Sequence, residues 1–357
     1  MSKRVAILEF QESHHECLYT LVRLFQDSGY EVHLFLNAKI KPRVRHLQSL
    51  RVPMHYMDLS TKLRRYVQVW LSLRYQFLQL GIDTVYLNTA ERNTVLKFLA
   101  LPFLRPTQVL GTLHNVQNLY RRQKRQLNIN KRIDVCFVLS DYILDHAKIK
   151  VPEVHFESLY SIFYPDIQLK EKLHKPSEEK WIVVPGGIDF NKRDYNFLKK
   201  LVLPENYKII FLGVPHHPDQ HNLFVKFLTH FNTEQIVYFS DFIEKSIFME
   251  YIKKADFILP LIHRNTGNFA DFKTGKISGA FNLAFGYQKL LLMDKAFQDI
   301  EDFQDTSLFY DSEKVSSLTL LLTQDIQNTN FFRLEKWEYS HQLKAFNTIL
   351  DKISINL

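Results

Sequence analysis

Residues 4–36 read RVAILEFQESHHECLYTLVRLFQDSGYEVHLFL, and the order of patterns in this stretch decides the fold. Arg4 to Phe10 is a short apolar run, QESHHE is polar, and Cys17 to Gln26 carries apolar residues at helical spacing. Gly29 then breaks the helix, and Val32 to Leu36 is apolar again. The pattern predicts strand, loop, helix, turn, strand. Two strands joined through a crossover helix run parallel, which is how a doubly wound sheet begins.

The same rhythm continues. Thr84 to Leu87, Gln108 to Leu113 and Val135 to Leu139 read as further strands, with helical stretches between them that include Lys62 to Leu80. A first α/β domain is expected over 1–163. Residues 164–180 are polar, contain Pro165 and Pro176, and show no sustained apolar period, as a linker does. A second α/β series follows over 181–330. Its expected strands are Trp181 to Val184, Lys208 to Leu212, Gln235 to Phe239, Phe257 to Leu261 and Lys289 to Met293. Helices are expected at Asp194 to Leu201, Ile243 to Lys254 and Ser278 to Gly286. The last stretch, 331–357, reads as a helix free to pack back on the first domain.

Composition narrows the function. With 357 residues, 46% hydrophobic and 24% charged, the chain buries a sizeable core and is long for one domain. Its two cysteines, Cys17 and Cys136, form no CxxC, and its 15 histidines show no HExxH. The expectation is therefore a reducing compartment and no bound metal. No signal peptide opens the sequence, and no window approaches the roughly 20 apolar residues of a membrane span, so a cytoplasmic protein is expected. The net charge of +8 suits a phosphate-bearing partner without identifying one. Arg121, Arg122, Lys124, Arg125, Lys131 and Arg132 form the densest basic run. Together with Lys62, Arg64, Arg65 and Arg74, that run reads either as a solvated face or as a peripheral contact with an anionic membrane. No RNP-like segment is present, so nucleic acid is not expected.

Ligands of doubly wound sheets bind beyond the carboxyl ends of the strands, where helix amino termini present unpaired N–H groups. The richest such loop is Lys273-Thr274-Gly275-Lys276-Ile277-Ser278-Gly279. Its glycines admit close backbone approach, and its lysines and hydroxyls supply donors for a diphosphate. The same residues also fit an ordinary capped helix. A second loop holds Gly186 and Gly187 with Arg193 downstream, and Arg193 can fork onto phosphate oxygens. Ser240 and Asp241, in Phe239 to Phe242, either receive a nucleobase or close a strand end. In the first domain Glu12, His14 and His15 follow the first strand, where they read either as a general acid or base or, for one of the histidines, as the cap of the following helix. His114 with Asn115, and Asn88 with Glu91 and Arg92, stand at equivalent strand ends. His216, His217, His221 and Asp219 cluster locally in what reads as a surface loop, at a spacing that fits no common metal site. Neither GxxxxGK[ST] nor GxGxxG is present, which disfavours a nicotinamide oxidoreductase.

With these loops placed, the sequence resembles the GT-B glycosyltransferases, in particular bacterial family-4-like enzymes. The resemblance rests on the opening strand, helix and strand, on GTLHN at 111–115, on QIVYFSDFIEKSIFMEYIKKADFILPLI at 235–262, and on TGKISGAFNLAFGYQKLLL at 274–292. It implies two Rossmann-like doubly wound domains facing each other across a cleft. It also implies transfer of a sugar from a nucleotide-diphosphate-sugar donor, UDP-sugars among them, to an acceptor hydroxyl on a glycan or lipid-linked intermediate, without a metal. By position Gly186, Gly187, Arg193, Lys273, Thr274, Lys276, Ser278 and Gly279 would face the donor phosphates, and His114 the donor sugar. The sequence departs from the family in one respect. The glutamate pair that retaining members carry is missing, since 271–286 holds Asp271 and no glutamate. Retention and inversion both stay open, with Glu12, His14 or His15 as the base if the enzyme inverts. Two alternatives share the fold, a nucleotide-sugar epimerase and a non-catalytic binding subunit.

Overall fold

The computed structural model describes residues 3–59, 63–105, 107–120, 129, 131–167, 173–215, 217–324, 326 and 331–355. The chain divides into two compact units, Met1–Pro165 with Glu338–Leu357, and Asp166–Trp337.

The first unit is built on a seven-stranded parallel sheet. Its strands are β1 (Lys3–Glu9), β2 (Tyr30–Asn37), β3 (Met54–Met57), β4 (Thr84–Leu87), β5 (Gln108–Thr112), β6 (Val135–Val138) and β7 (Phe156–Ser158), in the order β3-β2-β1-β4-β5-β6-β7. The second unit holds β8 (Lys180–Pro185), β9 (Tyr207–Leu212), β10 (Ile236–Val237), β11 (Phe257–Ile258), β12 (Leu290–Asp294) and β13 (Ser307–Tyr310), in the order β10-β9-β8-β11-β12-β13. Pairing is parallel throughout. Helices cover both faces of such sheets, so the strands are apolar without alternation. Five consecutive residues of β1 and five of β8 are buried.

In each sheet the strand order reverses beside the first strand, between β1 and β4 and between β8 and β11. The loops that leave a switch point diverge, and the gap between them is where a ligand fits. The loops that matter are therefore those after β1, β4 and β5 in one unit, and after β8 and β11 in the other.

The terminal helix Tyr339–Ile355 belongs to the first unit. Phe346 is fully buried, edge-on to Phe25 at 4.9 Å, and Ile349, Leu350 and Ile353 join the same core. The helix starts later than the apolar period suggests. Phe332, Arg333, Leu334 and Trp337 all donate to Asp305, which holds 331–337 in the second unit as an irregular strap. Strands β3, β7 and β13 stand at sheet edges and are only partly buried, so they lack the continuous apolar run that marks the inner strands. At Pro218 the expected surface loop is a helix, Pro218–Leu228, with proline in the first turn where no N–H is needed. His216 lies outside the described residues.

Arg74 is not part of a basic surface. It is 2% exposed, with its guanidinium 4.5 Å from the Phe98 ring and 4.1 Å from that of Phe103, and it donates to the Phe98 carbonyl. Burial pushes its pKa down to about 10. In its helix, Leu63–Leu80, the described residues Val67, Leu71, Tyr75 and Leu78 are exposed. Arg121, Arg122, Lys124, Arg125 and Lys62 lie outside the described residues, as do the side chains of Arg64 and Arg65. Among the described residues no helix is long and apolar enough to cross a membrane.

Candidate functional site

The carboxyl ends of β1, β4 and β5 converge on a polar cluster within the first unit. Glu9 closes β1 and is fully buried. One carboxylate oxygen accepts from Asn88 Nδ2 at 2.6 Å and from Thr89 Oγ1 at 2.7 Å, and the other accepts from the Gln11 N–H at 2.6 Å. Burial nevertheless dominates and pushes its pKa up to about 7. Asn88 also donates to the His14 carbonyl at 2.8 Å, and so holds the β1 and β4 loops together.

His14 sits in the left-handed region with φ 65°, a conformation that costs a non-glycine residue of order 1 kcal/mol and is tolerated where the surroundings enforce it. Its ring stacks on that of His114, with centroids 3.7 Å apart and planes 14° from parallel. His114 Nε2 donates to the Asn88 carbonyl at 2.7 Å, which fixes the tautomer and leaves Nδ1 as an acceptor. Burial, and then any charge on His14, push the His114 pKa down to about 3, so this ring is neutral. His14 moves the other way. Its own burial works against charge, but the Glu16 carboxylate at 3.6 Å, together with Glu91 and Glu9, raises it. Glu91 is 3% exposed, burial raises its pKa, and its Oε2 has no hydrogen-bond partner.

Of the residues singled out in sequence, His14 and His114 are therefore brought together, with Asn88 and Glu91 beside them. Glu12 is not. It is exposed, and its ion pair with Lys39 at 2.8 Å keeps its pKa low, as suits a surface carboxylate. His15 begins a short 3-10 turn, His15–Cys17, next to the cluster. Glu9, Thr89 and Glu16 were not singled out. The signal for Glu9 was present, a lone carboxylate closing an otherwise apolar strand.

In the second unit the loops after β8 and β11 are tied together. Gly186 has φ 95°, and a Cβ on Gly213 would stand 2.1 Å from the Gly186 carbonyl oxygen, so two strand ends touch through bare backbone. Arg193 folds back beneath this loop. Its Nη2 donates to the Pro185 carbonyl, and its guanidinium also interacts with the Tyr195 side chain. The next residue, Asp194, accepts from Phe197 N at 3.2 Å, Asn265 Nδ2 at 2.9 Å and His263 Nδ1 at 3.0 Å. His263 is 1% exposed, and its Nε2 meets the Tyr310 hydroxyl at 2.6 Å. The Asp194 N–H donates to the carbonyl of Leu261, itself at φ 57°.

The stretch 273–279 is less open than its sequence suggests. Lys273 and Thr274 end a helix, Phe269–Thr274. The Lys273 ammonium binds the Ala296 carbonyl at 2.8 Å and Asp299 at 3.1 Å, while the Thr274 hydroxyl donates to Ala270. Gly275 caps this helix, and the Lys276 ammonium lies 5.1 Å from the Phe272 ring. Ser278 then caps the next helix, Gly279–Gly286, by accepting from Ala280 N. No atom lies within 4 Å of a Cβ built on Gly279, so its backbone is approachable. Within that apolar helix Asn282 is buried, and its side-chain oxygen has no partner. Ser240 donates to Asp241 at 2.9 Å, both are exposed, and Phe242 beside them is 86% exposed. Among the described residues no three His, Cys, Asp or Glu side chains gather as metal ligands would.

Solved structures share this architecture over nearly the whole chain. Anabaena Alr3699/HepE, crystallised with UDP, has a TM-score of 0.67 at 12% identity, covering 99% of this chain and 100% of its own. The sucrose-phosphate synthase of Thermosynechococcus elongatus has a TM-score of 0.66 at 11% identity, covering 99% and 98%. The fold is GT-B. A UDP-N-acetylglucosamine 2-epimerase shares it, with a TM-score of 0.59 at 12% identity over 96% and 95% of the two chains. No protein-family model matches the sequence, and no curated protein matches it in sequence.

Proposed function

We propose that this GT-B protein is a glycosyltransferase that moves a sugar from a nucleoside-diphosphate sugar to an acceptor hydroxyl. The observation that carries the proposal is Arg193. Its guanidinium is anchored on the Pro185 carbonyl at the end of β8, where its charged donors would form charge-assisted hydrogen bonds to a diphosphate oxygen. It stands beside the positive-φ glycine at a switch point, where the fold places ligands. Gly187, Ser278 and Gly279 would add backbone donors, while the Gly186 N–H already serves the Leu212 carbonyl at 2.9 Å. Lys273 and Thr274, already engaged with Ala296, Asp299 and Ala270, would steady that loop instead of binding phosphate. Lys276 remains a candidate donor, and Ser240, Asp241 and Phe242 a place for the base.

In the reaction the acceptor oxygen bonds to the anomeric carbon as the bond from that carbon to the diphosphate oxygen breaks. The diphosphate leaves with the electron pair. The acceptor proton passes to the His14 ring, while neutral His114 supplies a hydrogen-bonding Nδ1. With His14 as base the anomeric centre inverts. A glycan or lipid-linked acceptor stays part of this proposal, as does work at a cytoplasmic membrane face.

One observation favours an epimerase as the second reading: Glu9 and Glu91 are buried carboxyls with raised pKa, a pair suited to proton exchange. Phosphorus NMR of the protein with UDP-glucose and with UDP-N-acetylglucosamine separates the two. Transfer releases UDP only when an acceptor is added. Conversion of UDP-N-acetylglucosamine alone to its 2-epimer would replace the transferase reading.

A further inference from the structure

A cavity of about 370 Å³ lies within the first unit, lined by β2 and β3 on one side and the helix Leu63–Leu80 on the other. That volume is in the range of small-molecule sites, about 300–1,000 Å³. Neither Glu9, His14, Asn88 nor His114 lines it. Its described walls include the Asp58 carboxylate and no lysine or arginine side chain, and the Lys41 ammonium stands 5.3 Å from the ring of the lining Tyr56.

The lining mixes apolar side chains, Met57, Val69 and Leu73 among them, with polar ones, as a site for the apolar faces and hydroxyls of a sugar ring does. His55 stacks on Phe35 with ring centroids 4.5 Å apart, and burial, with the neighbouring His33, lowers its pKa, so the imidazole is neutral. Its Nε2 is buried without a hydrogen-bond partner, a cost that a ligand hydroxyl would remove. Opposite, Gln68, Ser72 and Gln76 recur every fourth residue on one helix face, about 6 Å apart along the axis. Each carries both donors and acceptors. An aromatic pair facing a ladder of uncharged donor–acceptor groups suits a ring studded with hydroxyls.

We infer that this cavity binds a short uncharged saccharide, held by Gln68, Ser72, Gln76 and the Nε2 of His55. The inference goes beyond the donor reading and does not rest on it, since the site lies in the other unit and involves no nucleotide.

Saturation-transfer NMR on the full chain with maltose, cellobiose, lactose and N,N′-diacetylchitobiose tests it. At least one disaccharide gives a saturable signal. Ser72→Trp, which fills the cavity from an exposed helix position, abolishes that signal, and Gln76→Ala weakens binding by about tenfold. Arg193→Ala leaves it within about twofold, so this result and the nucleotide result fail independently. Melting curves by circular dichroism show whether either cavity variant is misfolded, and Gln76→Ala alone decides if Ser72→Trp is. The inference is overturned if none of the four binds, if binding survives the folded variants, or if glucose 1-phosphate competes better than glucose.

Discussion

The His14 and His114 rings lie face to face at 3.7 Å, yet only one of them is placed to carry a proton near neutral pH. His114 is sealed in, and its Nε2 is committed to the Asn88 carbonyl. His14 keeps a quarter of its side chain exposed and has Glu16 for a partner. Stacking makes the two charges exclude each other, so the pair titrates once, at His14.

If His14 takes the acceptor proton, it must be neutral to act. Sugar transfer therefore falls toward acid as His14 protonates, with an apparent pKa above that of an ordinary histidine. Glu16→Gln removes the carboxylate that favours the imidazolium and moves this limb to lower pH. His14→Ala lowers turnover by about 10²–10⁴ and removes the limb. Rates of UDP release measured from pH 5 to 8.5 check all three.

Glu9 makes a separate pH statement, about stability. Its folded pKa, about 7, lies above the ordinary value of 4.5, so between the two the folded chain holds a proton that the unfolded chain has lost. Stability from this group is present below pH 4.5 and is lost as pH rises toward 7. The full change is about 3 kcal/mol. Melting temperatures of the wild type and Glu9→Gln, compared from pH 4.5 to 8, should show the variant gaining relative to the wild type as pH rises. A constant difference would mean that Glu9 is ionised throughout.

Gly213 has no room for a side chain against the Gly186 carbonyl. Gly213→Ala must push the β8 and β9 loops apart, at a cost of about 1–3 kcal/mol. The melting temperature falls, and nucleotide affinity falls with it because the Arg193 loop shifts.

His263 bridges Asp194 and Tyr310 with both ring nitrogens inside the second unit. His263→Ala strands the buried Tyr310 hydroxyl, takes one of three donors from Asp194 and opens a cavity. A loss of about 2–5 kcal/mol in urea unfolding is expected.

Much of the fold was legible because buried parallel strands are continuous apolar runs, and β1, β2, β8, β9 and β12 stand out as such. The two-residue strands β10 and β11 carry too little sequence to mark their own ends. Site chemistry was legible where a polar residue stands in the loop that leaves a strand, as His14, Asn88 and His114 do. It was misleading at Lys273 and Thr274, where the donors of a phosphate loop prove to be the last turn of a helix already satisfied by Ala296, Asp299 and Ala270. Sequence does not show which lysine already has a partner. Arg74 failed for the same reason, since a helix period cannot tell a snorkelling arginine from one lying on phenylalanine rings.

The central claim is that the second unit grips a diphosphate through Arg193, and calorimetric titration of the wild type and Arg193→Ala with UDP and with uridine tests it most directly. The account predicts that UDP binds the wild type, and that Arg193→Ala weakens UDP by about tenfold or more while changing uridine by less than about twofold. No UDP binding by the wild type, or equal weakening of UDP and uridine in the variant, would contradict it.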